Sequence, residues 1–474
     1  MDTLLSDLTQ TAPIGGAFLL SLILIMMSAL KKESAALVHI SSLIGVVALA
    51  GLAIWTFPMK GAAFGGTVMT GGFASLFILI FLLSAFLTLF MMRDYAVKIG
   101  ADHGELYILI VLATTGMMTF ASGLDLIVTF IGLELMSVCL YVLAGFTRKS
   151  MRSNEAAVKY FLLGAFSTGF FLYGIALIYG ATGTTNIMIV ARNLPAYSSS
   201  LLFTAGIGLL LVGLAFKVGS VPFHMWIPDV YEGSPTIVSA FMSTGAKAAA
   251  FAVLLLVFTA TFAFDHAAVN TVFSILAVAS MVIGNVVALS QSSIKRMLAY
   301  SSIAHAGYML IGLTAGSDLA ISGVMFYLVS YTLTNMGAFG IASIIENEKQ
   351  ENGTLTSFIA LGTRAPFLAL LMSIFMFSLV GIPPLSGFFG KYYIFLAAIQ
   401  RGYTWLTIVG VITSMISIYF YLRVVVMMYF KTTDAAVEVR VAGTSAIPLV
   451  LAAAGVLVIG ILPRLVLDWM VTLF

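Results

Sequence analysis

Charge and cysteine are both scarce in this chain of 474 residues. Asp, Glu, Lys and Arg together make up 9% of it, whereas about 25% is usual for soluble globular domains. Cys139 is the single cysteine, so the chain can form no internal disulfide and cannot ligate an iron–sulfur cluster or attach a haem through paired thiols. Motifs for dinucleotide binding, phosphate binding and zinc ligation are also missing from the sequence. We therefore expect no redox centre in this chain.

Hydrophobic residues take the place of the missing charge. They account for 61% of the chain, and the mean hydropathy is +1.11. A soluble fold cannot hide that much apolar surface, so the composition predicts a polytopic α-helical membrane protein. The net charge of +3 comes from residues spread among the loops, which gives no indication of nucleic-acid binding. The N-terminal text MDTLLSDLTQ lacks the basic segment of a cleaved signal peptide, so the first apolar run is expected to remain as a helix.

Fourteen apolar runs are long enough to cross a bilayer, which takes about 17–25 residues per helix. The first seven predicted spans are Pro13–Leu30, Ala36–Phe57, Phe73–Met92, Glu105–Ser122, Asp125–Phe146, Ala157–Ala181 and the interrupted Leu201–Pro228. The other seven are Ile237–Phe264, Ala268–Leu289, Leu298–Ala315, Leu319–Ile345, the interrupted Pro366–Ala398, Trp405–Phe430 and Ser445–Leu467. The sequence therefore predicts an all-α protein of about fourteen transmembrane helices.

The basic residues of the connecting loops indicate an orientation. With the N-terminus outside, fifteen of the 22 Lys and Arg residues fall in inside loops or at inside helix ends. Four fall outside, namely Lys60, Arg192, Arg401 and Arg464. Because basic residues accumulate on the cytoplasmic side of membrane proteins, this split predicts fourteen spans with both termini outside.

Two of the predicted spans are interrupted beside a lysine. In the seventh, Lys217 precedes Gly219, and the helix is expected to restart at Pro222, where a proline is harmless in the first turn. In the twelfth, Lys391 follows a run of Gly and Pro that begins at Gly381. Backbone breaks inside a bilayer are tolerated only where they are buried in protein or face water.

The two interruptions lie five spans apart, so the two broken helices cross the membrane in opposite directions. Oppositely directed units with equivalent broken helices are typical of inverted-repeat transporters. We therefore predict a five-helix unit of spans 4–8 in residues 104–264, and an inverted partner of spans 9–13 in residues 265–431. Three helices precede them in residues 1–103, and one follows in residues 432–474. The general frequency of Gly and Pro in membrane helices would explain one such break, but explains two lysine-bearing breaks poorly.

Four ionisable residues lie inside the predicted spans, namely Glu134, Lys217, Lys247 and Lys391. A charge at the bilayer centre costs roughly 3 kcal/mol on insertion scales, so such residues usually serve a function. Burial favours the neutral form of both carboxyl groups and amines, which brings proton uptake and release within reach. We expect Glu134 to pair with Lys217, since both belong to the first five-helix unit. The alternative interpretation is an ion pair that only fixes helix packing.

Further titratable residues lie near these four. His224 follows the first break, and His305 lies on the tenth span in the text LAYSSIAHAGYML. Each could relay protons, or could be a hydrogen-bonded packing residue. Lys295 and Arg296, at the inside end of the tenth span, are predicted to be interfacial anchors. The same span carries hydroxyl side chains that could line a wet path, namely Tyr300, Ser301, Ser302 and Tyr308.

Three segments resemble the antiporter-like membrane subunits of respiratory complex I, which are related to the subunits of multisubunit cation/proton antiporters. They read AFKVGSVPFHMWIPDVYEGSPT, SIKRMLAYSSIAHAGYMLIG and GIPPLSGFFGKYYIF, and the resemblance extends over most of the chain. Within that family the chain is most similar to the N-type subunits of NADH-quinone oxidoreductase. The sequence ends soon after the fourteenth span, has lysine at the twelfth-span position and contains the text LAYSSIAHAGY, all as in N-type members.

The resemblance implies a proton-translocating subunit of an NADH:quinone oxidoreductase. It implies that Glu134, Lys217, Lys247 and Lys391 carry the protons, and that quinone reduction elsewhere in the complex perturbs the Glu134–Lys217 pair. FMN, iron–sulfur clusters and quinone are then expected in partner subunits, and none of them in this chain. The expected partners are the other membrane subunits of the complex and the lipid bilayer. The expected location is the bacterial inner membrane with both termini periplasmic, rather than the plastid thylakoid membrane.

Two other functions stay open at this point. The chain could be a subunit of a cation/proton antiporter without redox chemistry, which the identity of the neighbouring genes would decide. A stand-alone solute carrier would need a polar substrate pocket at the interface of the two five-helix units. Apart from the lysines, the sequence offers no residues for such a pocket.

Overall fold

A computed structural model describes residues 2–31, 34–262, 267–346, 353–432 and 443–473. The predicted end of the eighth span at Phe264 lies outside these residues, and so does the predicted boundary between the two five-helix units. Of the basic residues predicted in inside loops, Lys32, Lys349 and Arg440 also lie outside them.

The described chain is almost entirely helical. The first helices are α1 (Asp2–Gln10), α2 (Ala12–Leu30), α3 (Ala35–Trp55), α4 (Gly72–Lys98), α5 (Gly104–Ser122) and α6 (Leu126–Ala144). The middle helices are α7 (Met151–Thr182), α8 (Ile187–Arg192), α9 (Leu194–Tyr197), α10 (Leu201–Val218), α11 (Trp226–Gly233), α12 (Thr236–Phe241), α13 (Lys247–Phe262), α14 (Ala267–Leu289) and α15 (Ile294–Ala315). The last are α16 (Asp318–Ile345), α17 (Leu361–Arg364), α18 (Pro366–Val380), α19 (Ser386–Gln400), α20 (Thr404–Phe430), α21 (Gly443–Ile461) and α22 (Pro463–Val471). A π-helical segment, Met242–Ala246, joins α12 to α13, and a 3-10 turn, Leu355–Phe358, precedes α17.

Within the described residues, each predicted span overlaps either one helix or a helix that is interrupted. Within the described residues, eleven helices are long and apolar enough to cross a membrane, and the pair α21 and α22, bent by 80°, makes up to twelve. The tenth predicted span, α15, is not among them, since polar side chains lower its hydropathy. The half-helix α18 is too short to cross a bilayer alone, at 15 residues. The structure therefore confirms an all-helical membrane fold.

One element departs from a purely helical chain. Two three-residue strands, β1 (Gly61–Ala63) and β2 (Val68–Thr70), form an antiparallel hairpin between α3 and α4. The hairpin is followed by Gly71 at φ 66°, where an added Cβ would lie 2.6 Å from the Lys60 nitrogen. Only glycine fits that left-handed, crowded position. The hydropathy pattern did not predict this hairpin.

The core lies around the run Thr236–Phe258 and around α16. The most apolar stretch of Thr236–Phe258 is buried along its whole length and that of α16 along 89%, whereas that of α2 is buried along only 22%. A helix that is apolar on all sides is expected at such a central position. Lys247 belongs to the fully enclosed run, so its ammonium is surrounded by protein and does not face lipid.

Both predicted breaks are present, and both first halves end in the same way. Gly219, at φ 73°, donates its backbone N–H to the carbonyls of Ala215 and Phe216. Gly381, at φ 89°, donates in the same pattern to Phe377 and Ser378. Left-handed glycine caps of this kind end a helix by using its last free carbonyls.

The restart of the seventh span differs from the prediction. The second half-helix begins at Trp226, so the predicted restart at Pro222 is wrong. Tertiary contacts hold the intervening residues in turns, because the Val221 backbone N–H donates to the Ser280 hydroxyl of α14 at 2.9 Å. The Trp226 indole donates to the Phe216 carbonyl at 3.0 Å and so closes the gap in the broken helix.

Candidate functional site

Lys217 lies in the last turn of α10, directly before the first break, and 6% of it is exposed. Its ammonium donates to the Ser137 hydroxyl at 2.8 Å and lies 3.5 Å from the Tyr141 hydroxyl, both on α6. The ammonium therefore crosses from the broken helix to the neighbouring helix and is held there by neutral oxygens.

Glu134 lies on the same helix, α6, three residues before Ser137. It is half-buried, and its Oε1 atom is buried without a hydrogen-bond partner. It makes no ion pair within 4.0 Å with Lys217, so the predicted direct contact is wrong in this structure. The Ser137 hydroxyl, one helical turn further on, binds the ammonium in place of the predicted carboxylate.

Lys247 begins α13, at the end of the π-helical segment, and 2% of it is exposed. Its ammonium donates to Ser302 on α15, to the carbonyl oxygen at 2.6 Å and to the hydroxyl at 2.5 Å. It also lies 6.0 Å from the centre of the Tyr331 ring. π-Helical turns inside α-helices are frequent at functional sites.

His305 follows Ser302 by one turn of α15 and is 1% exposed. Both of its ring nitrogens are hydrogen-bonded, Nδ1 to the Tyr327 hydroxyl at 2.5 Å and Nε2 to the Tyr421 hydroxyl at 2.9 Å. The Tyr421 hydroxyl also bonds to the Ser301 hydroxyl. A buried imidazole with a hydroxyl on each nitrogen can take a proton on one side and release it on the other.

Lys391 lies on α19, just after the second break, and is 5% exposed. Its ammonium donates to the carbonyls of Leu379 and Val380 at 3.1 and 2.9 Å, and to the Ser414 hydroxyl at 2.9 Å. These carbonyls are the last of α18, so the ammonium also caps the negative end of that helix. It lies 4.8 Å from the centre of the Tyr308 ring.

A cavity of about 470 Å³ opens beside the Lys391 ammonium. Its walls come from α19, α20 and the break itself, and they are mostly apolar (Val380, Gly381, Ile382, Pro383, Phe388, Tyr392, Phe395, Leu396, Ile399, Thr407, Val411, Ser414, Met415 and Ile418). The Lys391 amine and the Ser414 hydroxyl are among the polar groups that line it.

Three residues on one face of α15 connect two of the lysines. Ser302, His305 and Tyr308 are spaced three apart, so they line one side of the helix over about 9 Å. Ser302 contacts Lys247 at one end, and Tyr308 contacts Lys391 at the other. The structure thus brings Lys247, His305 and Lys391 into one row. Lys217 and Glu134 form a separate group on α10 and α6.

The other candidates have different surroundings. His224 is half-buried at the first break, its Nδ1 is buried without a hydrogen-bond partner, and it does not belong to the row. The prediction that Lys295 is an interfacial anchor is wrong, since it is 4% exposed and pairs with Glu346 at 3.7 Å. Arg296 is half-buried and pairs with Asp229, because α11 packs against α15 at this end.

Sequence reasoning missed most of the hydroxyl partners. Ser137 could have been found, since it lies one helical turn after Glu134 on the same face. The Tyr327, Ser414 and Tyr421 hydroxyls carry no such local signal, because helices that are distant in sequence bring them to the site. Within the described ranges, no group of three or more His, Cys, Asp or Glu side chains could hold a metal ion.

The family described as NADH:quinone oxidoreductase/Mrp antiporter, TM, matches residues 123–417 of this chain. The NADH-quinone oxidoreductase subunit N of Trichlorobacter lovleyi is 48% identical over 431 residues, which are 90% of this chain and 88% of that protein. Subunit N 1 of Chloroherpeton thalassium is 45% identical, over 98% of both chains.

Solved structures show the same likeness. A chain of respiratory complex I from Thermus thermophilus with bound aureothin matches with a TM-score of 0.84 and 35% identity, over 96% of this chain and 98% of that one. A chain of the Mrp complex from Dietzia sp. DQ12-45-1b matches with a TM-score of 0.86 and 21% identity, over 98% and 96%, which shows a shared fold. The resemblance found in three sequence segments is confirmed. This chain belongs to the NADH-quinone oxidoreductase subunit N family, within the wider NADH:quinone oxidoreductase/Mrp antiporter family.

Proposed function

We propose that this chain is the proton-translocating N-type membrane subunit of an NADH-quinone oxidoreductase and moves protons while partner subunits reduce quinone. The observation that carries the proposal is the row of Lys247, His305 and Lys391 along one face of α15. Buried ionisable residues in membrane helices mark ion and proton pathways. Membership of the subunit N family supports the coupling to quinone reduction.

The partners of Lys247 suit a group that changes its protonation state. The Ser302 hydroxyl can accept a hydrogen bond from the ammonium and can donate one to the neutral amine. The lysine therefore keeps a partner in both states. A proton released by Lys247 passes along Ser302 and the His305 imidazole toward Lys391, and each group returns to its starting state when the next proton arrives.

The arrangement of Lys217 and Glu134 suits a switch that controls the protonation of Lys217. Glu134 Oε1 has no hydrogen-bond partner, while Lys217 is held by Ser137. A movement that brings this carboxylate onto the ammonium would stabilise the charged lysine, and its withdrawal would favour release of the proton toward Lys247. We infer that quinone reduction elsewhere in the complex drives this movement.

The chemistry of electron transfer belongs to the partner subunits in this proposal. FMN, iron–sulfur clusters and quinone bind there, and this chain is an enzyme subunit through its part in the translocase. Its partners are the other membrane subunits of the complex and the lipid bilayer. One of the structures that it resembles is a chain of respiratory complex I from Thermus thermophilus, which supports this assignment.

The arrangement of spans that we propose is fourteen transmembrane helices with two inverted five-helix units. The units are residues 104–264 and 265–431, with residues 1–103 before them and 432–474 after them. Two isolated β-bridges support the equivalence, since Asp125 pairs with Asn186 just as Ser293 pairs with Thr354. The two glycine caps at the breaks support it as well. We place the protein in the bacterial inner membrane with both termini periplasmic, on the distribution of basic residues.

A subunit of a cation/proton antiporter is the second candidate, because the fold is shared with the Mrp complex of Dietzia. The 48% identity with a subunit N against 21% with that Mrp chain favours the first. Neighbouring genes for quinone-site and iron–sulfur subunits would support the first assignment, and genes for small antiporter subunits would support the second.

The test uses the intact complex in sealed vesicles. Lys247→Met removes the amine at the start of the row and keeps the length of the side chain, and we expect loss of both proton pumping and coupled quinone reduction. Lys159→Met is the matched control, since that lysine is partly exposed and lies in an ion-pair cluster outside the row. Assembly is checked by native electrophoresis. Normal pumping in an assembled Lys247→Met complex would overturn the proposal.

A further inference from the structure

A second buried pair of charges lies outside the row. Lys295, at the start of α15, and Glu346, directly after α16, are 3.7 Å apart, and their side chains are 5% and 2% exposed. Burying two charges is costly, and replacing such a pair by apolar residues is often neutral or stabilising. A chain with only 9% charged residues therefore has little structural reason to keep this pair.

The two charges are embedded in hydrogen bonds from three other segments. Glu346 Oε2 accepts from the Tyr95 hydroxyl at 2.8 Å and from the Thr236 hydroxyl at 2.7 Å. The Lys295 ammonium donates to the Ser234 carbonyl at 2.7 Å. The Glu346 carboxylate thus stands where α4, α12, α15 and α16 meet.

One side of this cluster reaches a cavity. A space of about 110 Å³ is lined by residues of α4, α16 and the start of α21, including Asp94, Tyr95, Lys98, Ser343 and Ser445. Tyr95 lines this space and also bonds to Glu346, so the carboxylate is one hydroxyl away from it. The loops at this end belong to the side that we propose to be the inside.

The other side of the cluster leads toward Lys247. Glu346 and Asn335 are three helical turns apart along α16, which is about 16 Å. The Asn335 amide is fully buried, and neither its nitrogen nor its oxygen has a hydrogen-bond partner. Buried polar groups of this kind are usually satisfied by water. Tyr331 precedes Asn335 by one turn of α16, and the centre of its ring lies 6.0 Å from the Lys247 ammonium.

We propose that Glu346 takes up protons from the inner side of the membrane and delivers them to the row at Lys247. The inference rests on the proposed function and adds its uptake group. The Glu346 carboxylate binds a proton that arrives through the Tyr95 hydroxyl and becomes a neutral acid. It then releases this proton through water beside Asn335 to the Lys247 amine, and returns to the carboxylate. Lys295 stays protonated throughout and is a positioning residue, whose charge keeps the carboxylate in place.

The experiment compares Glu346→Gln with the double variant Lys295→Met/Glu346→Gln in the intact complex in sealed vesicles. The single variant keeps the size of the side chain and removes its exchangeable proton, and it leaves Lys295 as a lone buried charge. The double variant removes that lone charge as well. If the pair only holds α15 against α16, the double variant should restore pumping. If Glu346 takes up protons, both variants should lose it, and Glu346→Asp should recover more than half.

We expect the pumping rate of the Glu346→Gln complex to fall about as far as that of Lys247→Met, by about tenfold or more. Normal pumping in the single variant or in the double variant would overturn the inference. The proposed function would still stand if Lys247→Met abolishes pumping. If Lys247→Met also pumps normally, the proposed function itself is wrong. Should neither Glu346→Gln complex assemble, Tyr95→Phe decides, because it removes only the hydroxyl link. Slower pumping with Tyr95→Phe supports the inference, and unchanged pumping overturns it.

Discussion

The lysines of the membrane interior have different partners from the cations at the inner end of α7, α11 and α15, which is the end that we propose to face the inside of the cell. Lys217, Lys247 and Lys391 donate to hydroxyl and carbonyl oxygens. At the inner end, Lys159 pairs with Glu155 and Asp229 at 2.7 and 2.8 Å. Arg296 there pairs with Asp229 and Glu232, both at 2.9 Å.

The type of partner indicates whether a cation serves the structure or is suited to exchange its proton. A carboxylate partner stabilises the cation and so opposes loss of its proton. A hydroxyl partner accepts from an ammonium and donates to an amine, so it serves both states equally. In the function that we propose, the inner-end cluster therefore fixes its protons, whereas the interior lysines exchange theirs.

Lys391 stands between these two classes. Two of its three hydrogen-bond partners are carbonyls, which only accept, so they favour the ammonium. Lys247 has one carbonyl and one hydroxyl, and Lys217 has hydroxyls alone. In the function that we propose, Lys391 both caps α18 and carries a proton. Mutation can separate these two roles.

The largest effect is expected for Lys247→Arg. The guanidinium keeps the positive charge but does not release its proton under physiological conditions. Coupled quinone reduction and pumping should fall about tenfold or more, as expected for the loss of a proton-transfer group. The measurement is quinone reductase activity and pumping of the intact complex in vesicles, with Lys159→Arg as the matched control. An active Lys247→Arg complex would show that charge alone matters at this position.

A somewhat smaller effect is expected for Glu134→Ala and Lys217→Ala. Each removes one member of the switch group but leaves the row along α15 in place, so we expect about a fivefold loss of coupled activity. Assembly should stay largely intact, because neither side chain forms an ion pair in this structure. Coupled activity and native electrophoresis of the same membranes would test this. Normal pumping with either change would rule out an essential role for that residue.

Two variants of Lys391 should separate its role in capping α18 from its proposed role in proton transfer. We expect Lys391→Ala to lower pumping and to lower thermal stability by about 1 kcal/mol, because it removes the charge at the end of α18. Lys391→Arg should recover the stability, since it restores the cation, but not the pumping. Thermal inactivation curves and pumping assays on the two variants give the comparison. A silent Lys391→Ala would mean that the path does not run the length of the subunit.

The smallest effect is expected at Asp229. Burial by itself raises the pKa of the Asp229 carboxyl, but hydrogen bonds from Lys159 and Arg296 hold that pKa below its usual value. A carboxyl with a lowered pKa stabilises the fold above the pKa of the unfolded chain, about 3.9, and loses this contribution as the pH falls through the folded value.

Asp229→Asn should therefore lower stability by at most about 1 kcal/mol at neutral pH, because partly exposed ion pairs contribute little. The difference from the unchanged chain should persist down to about pH 4 and shrink below it. Thermal inactivation midpoints between neutral and acidic pH measure this, and pumping should be unaffected. A pumping defect in Asp229→Asn would mean that the inner-end cluster also takes part in proton transfer, and that ion-paired cations are not limited to a structural role.

Local patterns predicted the spans well. Several predicted spans begin and end within a few residues of the helices, as with Asp125–Phe146 and α6, because hydropathy and helix length depend on neighbouring residues only. The helices α4 and α7 each extend six residues beyond one predicted end. The break at Gly219 was also predictable, since glycine and proline act locally. The restart at Trp226 was not, because the Ser280 hydroxyl of a distant helix holds the residues between.

Some residues of the site could also be predicted from local patterns, and others could not. Sequence alone could name Lys217, Lys247 and Lys391, because a charge within an apolar run is visible without any structure. The sequence did not indicate that Lys295 is buried, because the residues around it are typical of a helix end. The Glu346 carboxylate that faces it is 51 positions away in the chain.

The amino-acid order by itself determined how many apolar segments there are, where they break and which of them contain a charge, because each of these properties is read from consecutive residues. Tertiary structure alone decided which oxygen each amine meets. Ser302 is 55 residues from Lys247, and Tyr421 is 116 from His305. Only the packing of whole helices brings such groups within hydrogen-bond distance, and that packing depends on the shapes of many side chains at once.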